Sequence, residues 1–419
     1  MGASKRQDPT DSSYNRSEEP QAGNKGAPKL NQPRIDPCIP LMPTVLEAIA
    51  VATPPFRRSQ QQLATFMARI EGVPGGLRGR IADIFSRSGI EQRYSCLADF
   101  GLEADAFGFF PSNWALSPPP STAARNRAYR ACAPPLAEAV AQQALEQAAC
   151  AASEITHLLV VSCTGFFAPG LDVLLIQRLG LPVATERTLI GFMGCNAAFH
   201  GLKLAHGICQ ASGHAGAEGH GIVKVLMVCV ELCSLHIQIP TSLEDVVTNA
   251  LFGDGAAAVV LSPGDPRPGQ LAYLDSACTI AAHTLEAMDW EIGDTGFLMR
   301  LSATVPQLIQ QTLPDCLGPW LRRHGLGRDD LAFWAVHPGG RLILDQVQKD
   351  LGLSPMALQD SYDVLREFGN MSSPTILFIL KRWMEAASAR PGQAAGKGLA
   401  LGFGPGLSIE GALFAHAEG

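Results

Sequence analysis

The sequence has no Cys-x-x-Cys motif and no histidines and cysteines at the spacing typical of metal ligands. Its 11 cysteines are scattered over 419 residues without a single Cys-x-x-Cys pair. An odd number of scattered cysteines in a long chain argues against a disulfide framework and favours reduced thiols in the cytosol. The ten histidines never combine with cysteines at the spacing of zinc ligands. The sequence therefore predicts a cytoplasmic protein without a metal site.

Long apolar runs and an excess of positive charge are also missing. No stretch reaches 18 consecutive apolar residues, so a membrane span is not expected. The formal net charge of -7 at pH 7 gives no support for nucleic-acid binding, which needs a basic face. The chain is instead rich in apolar residues, with 47% hydrophobic and 17% charged positions. This composition is typical of a globular protein with a large core.

Residues 1–36 differ in composition from the rest of the chain. They are polar, mixed in charge and nearly without large apolar side chains, which predicts a disordered tail. The tail has no apolar segment of the kind found in signal peptides. Arg6 stands where the myristoylation pattern requires Ser or Thr. We therefore expect a solvated tail without a targeting role.

Apolar strands alternate with helical patterns after this tail. The strands show no polar alternation, which favours a sheet covered on both faces, and the strand–helix alternation indicates a layered α/β fold. The predicted strands are 157–162, 223–230, 256–261, 331–336 and 399–403. The predicted helices are 138–153, 172–179, 196–210, 303–323 and 374–387.

A Pro- and Gly-rich segment, "SPGDPRPGQ" at 262–270, divides this pattern. Each half ends in a glycine-rich turn that leads into an apolar strand, at 251–261 and at 401–414. The repetition indicates two similar halves. We predict an N-terminal half over 37–262 and a C-terminal half over 263–419.

Three glycine-bounded segments carry side chains suited to catalysis. Cys195 lies between a strand end that is predicted to be buried, Leu189-Ile190, and a predicted helix. His337 follows a predicted buried strand, and Asn370 precedes a long apolar helix. Reacting groups of α/β folds collect at such ends. A helix N-terminus and a nearby imidazole favour a thiolate, and N–H groups of His and Asn can hold an oxyanion. The three residues are therefore predicted to be a nucleophile, an acid/base and a hydrogen-bond donor.

Each of these residues also has a structural interpretation. Free cysteine is often buried filler, a histidine can simply end a strand, and "GNMSS" at 369–373 can cap a helix. A Cys-His-Asn set also suits a papain-like hydrolase. Cys195 lacks the surrounding signature of that class, however, and the α/β alternation does not fit it.

The chain resembles the chalcone/stilbene synthase family, the type III polyketide synthases of the thiolase-like superfamily, in a bacterial form. The resemblance covers about residues 40–415, and the motifs occur in the family's order. They are "TPPFRRSQ", "GIEQRY", "SCTGFFAPGLD", "GFMGCNAAFHGL", "ALFGDGAAAVV", "HPGG", "GNMSS" and "GFGPGLSIE". The resemblance implies a thiolase-like αβαβα sandwich of two similar halves and a homodimer.

The resemblance also assigns roles residue by residue. Cys195 matches the acyl-accepting nucleophile, and His337 and Asn370 match the pair that promotes decarboxylation of malonyl-CoA. Phe252 matches a gatekeeper between the coenzyme A tunnel and the cavity, and Met299 replaces an aromatic second gatekeeper. Other cavity positions have diverged from the plant pattern: Cys163, Thr164, Cys233, His236, Thr248 and Trp290.

Two arginines are assigned to coenzyme A in the same way. Arg80 and Arg87 fall where the family uses basic residues to meet phosphates, whereas Asp83 replaces a third basic residue. Arginine pairs well with phosphate oxygens, although surface arginines are often merely solvated. The expected partners are therefore small-molecule CoA thioesters.

The implied reaction is iterative decarboxylative condensation of malonyl-CoA onto an acyl-CoA starter, followed by cyclisation. No metal or redox cofactor is expected, since decarboxylation supplies the driving force. The bulk of Trp290 and the adaptable side chain of Met299 favour fatty acyl starters and alkylpyrone or alkylresorcinol products. Malonyl-primed naphthalene-type synthesis, a chalcone-type reaction, a single-condensation ketoacyl synthase and a non-catalytic acyl-CoA binder stay open as alternatives.

Overall fold

The computed structural model describes residues 42–214, 222–389 and 396–416. The predicted tail, residues 1–36, lies outside these ranges. The strands are β1 Thr44–Ala52, β2 Phe56–Ser59, β3 Gln92–Ser95, β4 His157–Ser162, β5 Glu186–Gly191, β6 Val225–Leu232, β7 Asp254–Pro263, β8 Leu271–Ile280, β9 Met288–Gly293, β10 Gly296–Leu301, β11 Leu331–Val336, β12 Gly396–Gly404 and β13 Ser408–His416. The helices are α1 Gln60–Arg69, α2 Gly75–Arg87, α3 Thr122–Gln147, α4 Leu171–Leu179, α5 Ala197–His214, α6 Leu243–Leu251, α7 Val305–Arg323, α8 Arg341–Asp350, α9 Gln359–Phe368 and α10 Thr375–Ala389.

Nine strands form one sheet in the order β11-β12-β13-β8-β1-β7-β6-β4-β5. The strands of the two halves repeat one pattern on either side of the β1–β8 contact. In the first half β4 is parallel to β6, which is antiparallel to β7. In the second half β11 is parallel to β12, which is antiparallel to β13. The predicted α/β fold of two similar halves is therefore confirmed, while the boundary at residue 262 stays a prediction.

The sheet is covered on both faces, as its apolar strands predicted. Leu158 of β4 packs in an outer core beneath α3, whereas its neighbour Leu159 packs in a central core that includes α5 and α10. Side chains of β11 and β12 face a third core with α7 and α8. Successive side chains of a strand point to opposite faces, so each half-sheet separates two helix layers. Helices α5 and α10 thus form the middle layer of an αβαβα sandwich.

Two sequence-based expectations need correction. Helix α3 begins at Thr122, well before the predicted residue 138, and continues through Pro134 and Pro135. Packing against β1, β6 and β7 outweighs the helix-breaking tendency of these prolines. The strand that ends at Leu189-Ile190 is the edge strand β5, and Leu189 is 46% exposed rather than buried.

Two small two-stranded sheets complete the fold. One pairs β2 with β3, and the other is the hairpin of β9 and β10, which does not join the large sheet. Within the described ranges, none of the helices is long and apolar enough to cross a membrane.

Candidate active site

Cys195 lies in the turn between the edge strand β5 and the middle-layer helix α5. Gly194 adopts a φ of +85°, and a Cβ there would come within 2.2 Å of Pro405, so the turn requires glycine. The Gly194 carbonyl accepts from the backbone N–H of Ala197, the first residue of α5, at 3.0 Å. Cys195 is only 5% exposed. The turn at Gly194 therefore fixes the position of the Cys195 thiol, which is almost completely shielded from solvent.

His337 and Asn370 come from the second half of the chain. His337 follows β11, and its backbone N–H donates to the Leu401 carbonyl at 2.8 Å. Asn370 follows Gly369, which has a φ of +71°, and its N–H donates to the Leu251 carbonyl at 2.9 Å. Both side chains are buried. Backbone pairing therefore brings both residues to the protein interior.

The side chains of Cys195 and Asn370 are in contact. The Cys195 Sγ lies 3.8 Å from Nδ2 and 3.9 Å from Oδ1 of Asn370. The Asn370 Oδ1 accepts from the Ser372 N–H at 2.8 Å, which directs Nδ2 toward the Gly339 carbonyl, 3.4 Å away. Gly339 is two residues beyond His337, so the fold gathers the three predicted residues in one region. Neither ring nitrogen of His337 has a hydrogen-bond partner among the described residues.

Burial changes the acid–base properties of the nucleophile and of the imidazole. Burial raises the pKa of Cys195 to about 11, although hydrogen bonds from Ser372 and Asn370 oppose the rise. Burial lowers the pKa of His337 to about 3, so its imidazole is neutral. Desolvation of the buried sulfur therefore opposes formation of the expected thiolate. The site holds a buried thiol and a neutral imidazole.

A buried carboxyl, Glu231, lies behind this site and was not predicted. It accepts hydrogen bonds from the Ser373 hydroxyl at 2.7 Å, the Thr164 hydroxyl at 2.8 Å and the Cys163 N–H at 2.9 Å. Burial raises the pKa of Glu231 to about 7 despite these donors. The one sequence signal for it is an acidic residue in the apolar strand "VLMVCVEL". Such a residue is costly to bury unless it is hydrogen-bonded.

Arg93 links the predicted gatekeeper to the site. Its guanidinium is buried and donates to the carbonyls of Asn249 and Phe252. Phe252 pairs with Asn370 in an isolated parallel β-bridge. The backbone of the gatekeeper is therefore fixed to the backbone of a predicted catalytic residue.

A cavity of about 320 Å³ lies beside these residues. It is lined by six of the eight predicted cavity and gatekeeper residues: Cys233, His236, Thr248, Phe252, Trp290 and Met299. Cys163 and Thr164 are buried outside this lining. The Cys163 Sγ accepts from the Gly194 N–H at 3.2 Å, and Thr164 bonds to Glu231. The Cys163 side chain therefore supports the turn before the nucleophile, whereas the Thr164 side chain holds Glu231.

The two predicted coenzyme A arginines lie on α2. Arg80 is exposed, and the Arg87 side chain is 78% exposed with an ion pair of 2.8 Å to Asp83. Neither lines the cavity. Arg80 and Arg87 can therefore bind the phosphates of coenzyme A only if those phosphates lie at the protein surface beside α2.

Comparison with known proteins matches this architecture. The sequence model of the N-terminal domain of chalcone and stilbene synthases matches residues 42–266, and that of the C-terminal domain matches residues 273–417. The Mycobacterium tuberculosis protein called alpha-pyrone synthesis polyketide synthase-like Pks18 is 31% identical over 385 residues. The alignment covers 91% of this chain and 93% of that protein.

Two solved structures are similar in fold. PKS-I from the brown alga Ectocarpus siliculosus superimposes with a TM-score of 0.83 at 34% identity, covering 90% of this chain and 99% of that chain. The C-terminal type III polyketide synthase domain of Steely1 from Dictyostelium has a TM-score of 0.76 at 24% identity, covering 89% and 99%. The second similarity concerns the fold alone.

Proposed function

The chain belongs to the chalcone and stilbene synthase family of type III polyketide synthases, and we propose that it extends a fatty acyl-CoA starter with malonyl-CoA. The product proposed is a cyclised alkylpyrone or alkylresorcinol. The observation that carries this proposal is the cavity wall, where Trp290 faces Met299 across the β9–β10 hairpin. The relative named for alpha-pyrone synthesis supports the same class of product.

The proposed loading step uses the thiol of Cys195 and the imidazole of His337. The sulfur attacks the thioester carbonyl of the starter while His337 accepts the thiol proton, and free coenzyme A leaves after receiving a proton. The ring of His337 is neutral, and its nitrogens have no hydrogen-bond partner among the described residues, so one of them is available to accept the proton. The Nδ2 of Asn370 lies 3.8 Å from the sulfur, and we assign its main role as a hydrogen-bond donor to the extension step.

The proposed extension step breaks a C–C bond of malonyl-CoA and forms another. Loss of CO2 leaves an enolate whose oxygen accepts hydrogen bonds from His337 and Asn370. The enolate carbon attacks the acyl carbonyl on Cys195, and the sulfur departs with the bonding electron pair. This scheme needs no metal or redox cofactor, because release of CO2 drives each condensation.

The preference for an alkyl starter rests on the shape and polarity of the wall. The large indole of Trp290 occupies one side, and flexible Met299 forms the opposite position of the hairpin. Apolar cavity residues Ile237, Ile239 and Leu298 lie nearby. Each buried methylene contributes roughly 0.8 kcal/mol, so turnover should depend steeply on chain length. A rigid coumaroyl group has less freedom to fit this space.

Starter competition tests the proposal. Turnover is compared with coumaroyl-, hexanoyl-, lauroyl- and malonyl-CoA alone, and products are identified by mass spectrometry. We expect an alkanoyl-CoA to give the highest kcat/KM and to consume two or more malonyl units per starter. Preference for coumaroyl-CoA would contradict the alkyl proposal. Efficient use of malonyl-CoA alone would support naphthalene-type synthesis, and one malonyl unit per starter would support a ketoacyl synthase.

We also propose that the enzyme is a homodimer. The edge strand β5 leaves its outer backbone groups unpaired within the described sheet, and Leu189 and Met193 are 46% and 42% exposed beside it. An exposed apolar edge of this kind is typical of a protein interface. Light scattering should give about twice the chain mass. A charged substitution, Leu189→Glu, should shift the enzyme toward monomer.

A further inference from the structure

His236 makes two hydrogen bonds that fix its proton. It ends a short helical turn, Cys233–His236, that follows β6. Its Nδ1 accepts from the backbone N–H of Phe297 at 3.0 Å, and its Nε2 lies 2.8 Å from the Thr164 carbonyl oxygen. A backbone N–H can only donate and a carbonyl can only accept, so the proton resides on Nε2. His236 is therefore the neutral Nε2–H tautomer.

This arrangement removes His236 from acid–base chemistry although it lines the cavity. Both ring nitrogens are already engaged, and the ring stacks on Phe297 with centroids 4.2 Å apart and planes 7° apart. Burial also lowers the pKa of His236 to about 4, so the ring stays neutral at physiological pH. A group in this state neither takes a proton from a substrate nor gives one to it.

The element that His236 holds forms the cavity wall. The β9–β10 hairpin carries the cavity residues Trp290, Phe297 and Met299, yet it does not pair with the nine-stranded sheet. Its position therefore depends on local anchors. Four hydrogen bonds hold its turn. The carbonyls of Gly293 and Asp294 accept from the hydroxyl and the N–H of Thr122. The Thr295 carbonyl accepts from Gln238 Nε2, and the Gly296 N–H donates to Thr122 Oγ1. His236 holds Phe297, which is itself part of the wall.

On its other side, His236 bonds to Thr164, which belongs to the segment that supports the nucleophile. The Thr164 hydroxyl donates to Glu231, and the neighbouring Cys163 Sγ accepts from the N–H of Gly194, the residue before Cys195. His236 thus joins the hairpin to the segment that supports the reacting sulfur. The ring of His236 thus contributes to the distance between the wall and Cys195, alongside Phe192, which packs on Trp290 and Phe297 at centroid distances of 5.9 and 5.5 Å.

We propose that His236 is a positioning residue that fixes the β9–β10 hairpin relative to Cys195 and so determines which cyclised product is released. The inference rests on the proposed polyketide synthase function, since product choice has meaning only for that reaction. Cyclisation requires the chain to fold in one shape, and the wall residues impose that shape. A hairpin that is no longer held by His236 would let the polyketide chain fold in several shapes.

Three substitutions separate the contributions of the ring. His236→Phe keeps the bulk and the stacking on Phe297 but leaves the Phe297 N–H and the Thr164 carbonyl unpaired. His236→Asn places an acceptor near the position of Nδ1 and keeps the bond to Phe297. His236→Gln places a donor near the position of Nε2 and keeps the bond to Thr164. His206→Phe is the matched control, because His206 lies on α5 outside the cavity and stacks on Tyr273.

The first measurement is the product distribution of each variant with the starter that the wild type uses best. We expect His236→Phe to raise the share of lactones released after fewer condensations at least threefold. His236→Asn should lie between wild type and His236→Phe, and His206→Phe should match wild type. The pH profile of kcat should keep its wild-type shape in all variants. A wild-type product ratio in His236→Phe would overturn the proposal, and loss of one limb of the pH profile would show an acid–base role instead.

The second measurement needs no turnover and so separates this proposal from the proposed function. Hydrogen exchange of the Phe297 amide should be at least tenfold faster in His236→Phe and His236→Gln than in wild type and His236→Asn. Equal protection in all four proteins would overturn the proposal, whatever the enzyme synthesises. If His236→Phe does not fold, the contrast between His236→Asn and His236→Gln gives the same decision.

Discussion

The Sγ of Cys195 lies 3.8 Å from the Nδ2 of Asn370, a residue 175 positions later in the chain. Because the second half of the chain supplies this contact, the nucleophile is assembled only in the complete fold. The sulfur faces a hydrogen-bond donor rather than a positive charge, and it is buried as a thiol.

Cys195→Ala should abolish covalent acyl loading. With an acyl-CoA starter, intact-protein mass spectrometry should show one acyl adduct on wild type and none on the variant. In Cys163→Ala and Cys233→Ala the adduct should still map to Cys195. Cys278→Ala serves as the surface control, since Cys278 is exposed on β8. Acyl label on Cys163 or Cys233 would contradict the assignment.

Asn370→Ala should affect extension more than loading. Removal of one preorganised oxyanion donor costs about 10²- to 10³-fold in rate. We expect malonyl-CoA decarboxylation to fall by about this factor, while Cys195 is still acylated on a longer timescale. Release of CO2 and the rate of adduct formation are measured in parallel. Asn113→Ala is a control, since the Asn113 side chain bonds only within a surface loop, to Ser117. Equal losses in both steps would contradict this division of roles.

Glu231→Gln should change how stability depends on pH. Burial raises the pKa of Glu231 from 4.5 to about 7, so the folded protein holds this proton more tightly than the unfolded chain. That contribution to stability is fully present below pH 4.5 and is lost as pH rises through about 7, a difference of about 3 kcal/mol. Glutamine does not titrate. The unfolding free energy of the variant relative to wild type should therefore rise between pH 5 and pH 7 and then level off.

Urea unfolding at several pH values measures this difference. Asp254 is also buried with a raised pKa and titrates in both proteins, so its contribution cancels in the comparison. A difference in stability that is constant from pH 5 to pH 8 would show that Glu231 does not change its charge on folding in this range.

Trp290→Gly should widen the choice of starter. The indole of Trp290 contacts Phe192 and Phe297 at centroid distances of 5.9 and 6.2 Å and fills one side of the cavity. Its removal should raise kcat/KM for coumaroyl-CoA at least tenfold relative to lauroyl-CoA. Loss of a large aromatic side chain also costs up to about 3–5 kcal/mol of stability, so melting is measured alongside. Trp290→Phe keeps an aromatic ring and should retain the wild-type order of starters.

Arg80→Ala and Arg87→Ala should weaken coenzyme A binding. If these exposed side chains meet phosphates, the double variant should raise KM for malonyl-CoA about tenfold with little change in kcat. The effect should diminish at high salt, because exposed charges are screened. Arg178→Ala on α4 is the control, since Arg178 pairs with Glu138 away from α2. An unchanged KM would remove both arginines from the site.

The sequence was most informative where a residue pattern is compatible with only one type of secondary structure. The predicted strands at 157–162 and 331–336 match β4 and β11, because continuous apolar runs bounded by polar residues are buried on both faces. Cys195 and Asn370 were placed together because each lies at a strand or helix end, where reacting groups of α/β folds collect, and because of the family resemblance. Their separations along the chain carry no information about distance in space.

Other features depend on tertiary contacts that no local pattern records. Burial, which raises the pKa of the Cys195 thiol, follows from the tertiary fold and is not visible in the neighbouring residue types. The hydrogen bonds of His236 could not be predicted either, since they join it to Thr164 and Phe297, which are distant in sequence. The sequence indicated that His236 lies at the cavity, but it did not indicate the orientation of the ring.

The position of β1 has a consequence for synthesis of the chain on the ribosome. Residues 44–52 pair with β7, and Thr44–Leu46 also pair with Leu271–Tyr273. Neither partner strand exists when β1 emerges, and at typical rates of elongation the last of them follows about 10 to 40 s later. An apolar strand that stays unpaired for this time is expected to bind chaperones. Yield in a heterologous host should therefore depend on translation speed and chaperone supply more than on the final stability of the enzyme.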